Sequence, residues 1–233
     1  MIVQEFIPAG RKNRPGWAMA PKYLTIHDTG NTNRGATAPM HARYLKGDTA
    51  ANLPVSWHYT VDDKVIVQHL PTTEIGWHAG DGGQGPGNRK SIGIEICMDT
   101  GGDRVKAEAN AIWLVAELVG TVATLKPFPG CMKQHYDWSG KNCPQLIRAG
   151  RHHNWSSFLD VIKKEIEGGP EPMAGKYFKD VLDDAWFANA VNELYEQGLI
   201  GGYEDGTFKP SESLTRAEAA ALIHRLYTKL RSG

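Results

Sequence analysis

Residues 91–97 read SIGIEIC. Successive side chains of an extended segment point to opposite faces. Ile92, Ile94 and Ile96 therefore share one face, while Ser91, Gly93, Glu95 and Cys97 share the other. This alternation predicts a strand that lays its isoleucines on a core and turns Glu95 away from it. Outward from this strand, YLTIH (23–27) and WHYTVDDKVIVQHL (57–70) also read as strands, the second folded into a hairpin at Asp62-Asp63-Lys64. Helical spacing marks TAPMHARYLKG (37–47), closed by Gly47, and the stretch from 104 to 125, with Val105, Ile112, Val115, Val119 and Val122 among its apolar positions. NWSSFLDVIKKEIE (154–167) sets Trp155, Phe158, Leu159, Ile162 and Ile166 at helical spacing behind Asn154, a candidate N-cap. Strands and helices interleaved in this way predict an α/β or α+β domain around one sheet.

The chain has 233 residues, 41% hydrophobic and 22% charged, a balance that supports a sizeable core. Its formal net charge of zero offers no broad polyanion-binding surface, so no nucleic-acid partner is expected. Apolar runs are short and interrupted, which argues against membrane insertion. The N-terminal MIVQEFIPAGRKNRPGW lacks the charged start, long apolar run and cleavage site of a secretory signal. The expectation is a protein made in a cytoplasm. GGPEPMAGK (168–176), rich in Gly and Pro and without periodicity, reads as a linker between a domain at 1–167 and a smaller one at 177–233. Basic and acidic residues number 19 and 16 up to 167, and 7 and 10 thereafter, too weak an asymmetry to name a partner. The three cysteines, Cys97, Cys131 and Cys143, are an odd number without a disulfide framework, so at least one sulfur is free for another purpose.

One such purpose is suggested by KQHYDWSGKNCPQ (133–145), where His135 and Cys143 frame a Ser-Gly turn. Catalytic zinc sites use three protein ligands drawn from His, Cys, Asp and Glu, and keep one position for water. His27, at the end of the first strand before Asp28-Thr29-Gly30, completes such a set. By spacing alone a surface histidine and a buried cysteine acting as a small hydrophobe are the favoured reading, because His-x7-Cys is not a regular zinc-finger spacing. Glu95 is likewise either a solvent-facing strand residue or a carrier of protons. Cys97 and Cys131 have no histidine at a nucleophile's spacing and read as structural thiols. His58 and His69 read as hydrogen-bonded structural groups.

The ordered series TIHDTG, SWHYTV, WHAG, IGIEI and QHYDWSGKNCP resembles zinc-dependent N-acetylmuramoyl-L-alanine amidases of the phage lysozyme and peptidoglycan-recognition type, over residues 20–165. The resemblance implies a mixed β-sheet flanked by helices, with Zn2+ in a groove across one face, held by His27, His135 and Cys143. It implies cleavage of the amide between N-acetylmuramic acid and L-alanine in peptidoglycan, with Glu95 catalytic and Lys141 near the developing oxyanion. Lys141 otherwise reads as a solvated loop cation. Trp57 stands where related amidases often carry a catalytic tyrosine, and with Trp77 and His78 it is expected to line the substrate cleft. Asn88 and Arg89 are candidate partners for stem-peptide carboxylates. Asp137 and Trp138 are expected to shape the metal loop.

In the C-terminal part, Trp186, Ala190, Val191 and Leu194 share one helical face, stopped at Gly198, and Thr215-Arg216-Ala217-Glu218 is a capping box before Leu222, Ile223 and Leu226, which are expected to face inward. FKDV (178–181), GLIGGYEDGTFKP (198–210) and LTRAE (214–218) resemble an S-layer homology module. That resemblance implies a small, mainly helical domain that binds secondary cell-wall polysaccharide, with Arg216 as contact for an anionic sugar. Such modules usually occur three in tandem, and the single copy here raises the expectation of a homo-oligomer. Together the two resemblances imply a phage endolysin that lyses a Gram-positive host after release. A bacterial autolysin, a spore-associated amidase and a non-catalytic peptidoglycan-binding protein are the alternatives.

Overall fold

The computed structural model describes residues 2–168, 177–181, 187–203, 205–210 and 212–231. The expected linker lies almost wholly outside the described residues, as does Trp186. The chain divides into two compact units, Met1–Glu167 and Gly168–Gly233.

In the larger unit, β1 (Ile2–Gln4), β4 (Ile66–Gln68), β3 (Tyr59–Val61), β5 (Ser91–Ile96), β2 (Tyr23–Asp28) and β6 (Met132–Gln134) stand side by side in that order. β3 and β4 are antiparallel and the other neighbouring pairs are parallel, so the sheet is mixed. The hairpin exists because Asp62 satisfies it: its carboxylate accepts the amides of Lys64 (2.8 Å) and Val65 (2.7 Å), and also that of Ala38 (2.9 Å), the first residue of α1 (Ala38–Lys46).

The alternation in β5 sorts the sheet into two unlike faces. Ile92, Ile94 and Ile96 join Leu24, Ile26, Tyr59 and Val61 in the main core. α4 (Arg104–Thr121) and α7 (Trp155–Gly168) close it with Ala111, Leu114, Val115, Phe158 and Ile162. Asp103 caps α4 by accepting the amides of Val105 and Lys106, and Asn154 and Ser157 exchange hydrogen bonds at the start of α7. α4 stops at Thr121, four residues before the apolar spacing ends, and Val122 and Leu125 go on packing against the core outside the helix. Val105, in its first turn, is exposed. On the other face, the parallel register sets His27 beside Glu95 and Thr25 beside Gly93.

The smaller unit has a modest core of Phe178, Val181, Ala188 and Val191, against which Ile200 and Phe208 pack. α8 (Ala188–Glu196) gives way to Gly198 in the left-handed conformation, φ +68°. α9 (Arg216–Arg231) begins with the capping box: the Thr215 amide donates to Glu218 (2.8 Å) and the Glu218 amide to Thr215 Oγ1 (3.2 Å). Leu222 is half-buried, but Ile223 and Leu226 are exposed rather than inward, and so are Ala190 and Leu194 on α8. With so small a core, only the Val191 side of α8 is covered.

Asp62→Ala strips three backbone amides of their acceptor, and the larger unit should lose about 3 kcal/mol, read as a lower midpoint in urea unfolding.

Candidate metal and active site

β2 delivers His27 at its C-terminal end, buried to 0% exposure. The His135 amide continues the β6–β2 ladder by donating to the Ile26 carbonyl (3.3 Å). The chain then turns through α5 (Tyr136–Ser139), and Gly140, at φ +75°, reverses it. The Tyr136 amide donates to the Cys143 carbonyl (3.1 Å), closing the loop. Asp137 accepts the Gln134 amide (2.8 Å), and the Trp138 indole donates to Thr25 Oγ1 (2.9 Å), which pins the loop to β2. Cys143 is thereby held against the end of β2, where the Asp28 amide donates to its Sγ (3.3 Å).

Three donor atoms meet as a result. His27 Nδ1 lies 3.0 Å from His135 Nδ1 and 3.9 Å from Cys143 Sγ. One ligand atom from each of the three residues falls within 4.8 Å of the others, a group of its kind unique among the described residues. All three side chains are buried, as are Cys97 and Cys131, and none of the cysteines is paired. Burial holds the His27 imidazole well below its ordinary value and lowers His135 to about 4, so both rings are neutral and offer lone pairs. Burial pushes the Cys143 thiol up to about 12, so a thiolate there needs a nearby cation. Two neutral imidazoles and one sulfur are a donor set that could hold a metal ion.

Glu95 reaches the same point from β5, its Oε1 3.8 Å from His27 Nδ1. Its Oε2 is buried without a partner, and burial together with the nearby Asp28 raises its carboxyl to about 8, against the pull of Lys141. Lys141 is exposed on the loop between His135 and Cys143, and its charge reaches His27, Glu95, His135 and Cys143.

Behind the triad runs a largely buried ionic chain with no local signature in the sequence. Arg104 binds Asp28 (2.6 Å) and Glu108 (2.8 Å), and Glu108 in turn meets His153 Nδ1 (2.7 Å). Asp28 also accepts the Leu146 amide (2.7 Å), three residues past Cys143, so Arg104 braces the end of β2 and the exit of the 135–143 loop together.

The other candidates fall elsewhere. Trp57 is buried with Ile7, Leu45 and Leu70, and its indole donates to Thr60 Oγ1 (2.6 Å), on the residue that stands beside Glu95 in the β3–β5 register. Trp77 is half-buried, edge-on to Trp17, with its indole donating to the Lys12 carbonyl. His78 is buried against His27, not open to a cleft. Asn88 accepts the amides of His78 and Ala79 (2.8 Å each), and Arg89 stacks over Trp17. His58 and His69 are hydrogen-bonded, to Glu74 and Gly93 and to Thr60 respectively. Arg216 stands exposed at the start of α9 in the smaller unit.

A family model for N-acetylmuramoyl-L-alanine amidases matches residues 17–146, more than half of the chain. The chain belongs to this family. A second model, the S-layer homology domain, matches residues 177–220. The chain is 50% identical over 163 residues to N-acetylmuramoyl-L-alanine amidase CwlH of Bacillus subtilis (strain 168), covering 69% of this chain and 60% of that protein. It is 39% identical over 232 residues to N-acetylmuramoyl-L-alanine amidase CwlA of a Bacillus species, covering 94% of this chain and 89% of that one. A solved structure of a mutant endolysin from Bacillus subtilis superposes with a TM-score of 0.63 at 51% identity, over 70% of this chain and 98% of that one. The amidase family thus accounts for the mixed sheet with flanking helices, and the C-terminal helical region is the S-layer homology match.

Arg104→Met leaves Asp28 and Glu108 buried without their cation. The expected cost is about 3–5 kcal/mol, seen as a depressed unfolding temperature of the chelator-treated protein.

Proposed function

We propose that the chain is a zinc-dependent N-acetylmuramoyl-L-alanine amidase of the endolysin type, which hydrolyses the bond between N-acetylmuramic acid and the L-alanine of the stem peptide. The observation that carries this reading is the convergence of His27, His135 and Cys143 beside the unpartnered Glu95 carboxylate. His27, His135 and Cys143 would hold the zinc ion, which would supply the Lewis acidity that polarises an amide carbonyl and lowers the pKa of water. Glu95 does the proton work: its free Oε2 takes the proton released by the attacking water and returns it to the alanine nitrogen as the C–N bond breaks. The burial that raises its carboxyl favours the protonated form, which suits the return of the proton to the leaving nitrogen. Lys141 adds positive charge on the open side of the site, where the carbonyl oxygen becomes negative. The Asp28 amide on Cys143 Sγ works against the burial that disfavours a thiolate there.

Residues 177–233 serve as the wall-binding part, a reading that rests on the S-layer homology match and on its capping box, which sets Arg216 at an exposed helix start. Secondary cell-wall polysaccharide is the proposed ligand, and action on the wall of a Gram-positive cell follows from joining the two activities. No described helix is long and apolar enough to cross a membrane.

Loss of turbidity of purified Gram-positive walls, followed by assay of free L-alanine amino groups, tests the reaction. Cys143→Ser should lose bound zinc and activity together. Glu95→Gln should keep its zinc and lose at least about 100-fold in turnover; near-normal turnover in that variant removes Glu95 from the mechanism. Arg216→Ala should weaken sedimentation with walls while leaving hydrolysis of a soluble muropeptide unchanged.

A further inference from the structure

A third buried imidazole stands behind the metal-binding pair. His78 packs its ring on Gly93, where an added Cβ would lie 2.7 Å from the ring's Cγ, so the glycine of SIGIEIC makes the room that the ring occupies. His58 borders it, at 5.9 Å between ring centroids, and is itself fixed by the Gly93 amide and the Glu74 carbonyl. Both nitrogens of His78 are engaged. Nε2 lies 3.1 Å from the Ser91 carbonyl oxygen, and Nδ1 lies 3.0 Å from His27 Nε2.

These two contacts determine where the protons are. A carbonyl oxygen only accepts, so His78 Nε2 carries a hydrogen. A neutral imidazole carries one, so His78 Nδ1 is a bare lone pair and accepts from His27. His27 Nε2 therefore holds the hydrogen of its own ring, and His27 Nδ1 is left bare. That is the atom 3.0 Å from His135 Nδ1 and 3.9 Å from Cys143 Sγ.

We propose that His78 is a positioning residue: it relays the acceptor character of the Ser91 carbonyl to His27, and so fixes the ring orientation and the tautomer in which His27 presents Nδ1 to the metal. The proposal rests on the metal reading given above. It also sets His78 apart from the substrate, since a buried ring with both nitrogens engaged has no polar atom to offer a muropeptide.

Zinc binding by the full chain, measured by competition with a chromophoric chelator, is the test. His78→Leu keeps apolar volume but removes the acceptor, and zinc affinity should fall about 10–100-fold. His78→Asn returns an oxygen near the position of Nδ1 and should recover most of that loss. Equal affinity in the Leu variant and the parent, or an Asn variant as weak as the Leu one, overturns the relay. Should the Leu variant fail to fold, long-range 1H–15N correlations of the unaltered zinc-loaded protein decide the matter. His27 and His78 should both carry hydrogen on Nε2, and a hydrogen on Nδ1 of either ring contradicts the assignment. Failure of the parent chain to bind zinc removes the metal reading itself, whereas binding with the wrong tautomers removes only the role of His78.

Discussion

Two imidazole nitrogens and one sulfur are packed within a few ångströms of one another in a place where burial disfavours a charge on any of them. Lone pairs gathered this closely repel unless something positive sits among them, and the surrounding fold spends several independent interactions on keeping them together. The β2–β6 ladder sets the height of His135, Trp138 ties the metal loop to Thr25, and the Asp28 amide holds the sulfur. Arg104 joins that arrangement to α4 by neutralising Asp28 and Glu108 at once.

A single strand separates stability from chemistry. The isoleucines of β5 enter the main core, while Ser91, Gly93 and Glu95, on its opposite face, supply a carbonyl that orients a ring, space for that ring, and a carboxylate beside the triad. Because side chains alternate strictly, a slip of one residue in the β2–β5 register would remove His27 from Glu95 and expose the isoleucines together. Packing energy therefore enforces the register that the chemistry needs.

Strands β2 to β5 are legible in the sequence from their own alternation, and the hairpin turn at Asp62, the cap at Asn154 and the capping box at Thr215 from partners within a few residues, whereas the three-residue strands β1 and β6 are too short to show a pattern. The meeting of His27 with Cys143 spans more than a hundred positions, and spacing alone left it open; the ordered family motifs pointed to it. Trp57 looked like a cleft residue by position, yet its side chain closes a small cluster with Ile7, Leu45 and Leu70, contacts too distant in sequence to read. The family resemblance points His78 to the cleft, whereas the three-dimensional neighbours of its two nitrogens show a buried ring. The Asp28–Arg104–Glu108–His153 chain was invisible for the same reason, since ordinary surface patterns contain the same residues. On α9, helical periodicity suggested inward Ile223 and Leu226, but periodicity gives the face and not what covers it.

The most direct measurement is X-ray absorption at the zinc edge of the zinc-loaded full chain. Two imidazole nitrogens and one sulfur at about 2.3 Å in the first shell are the expected result. A first shell without sulfur, or with a single imidazole, would contradict the site on which the enzyme reading stands.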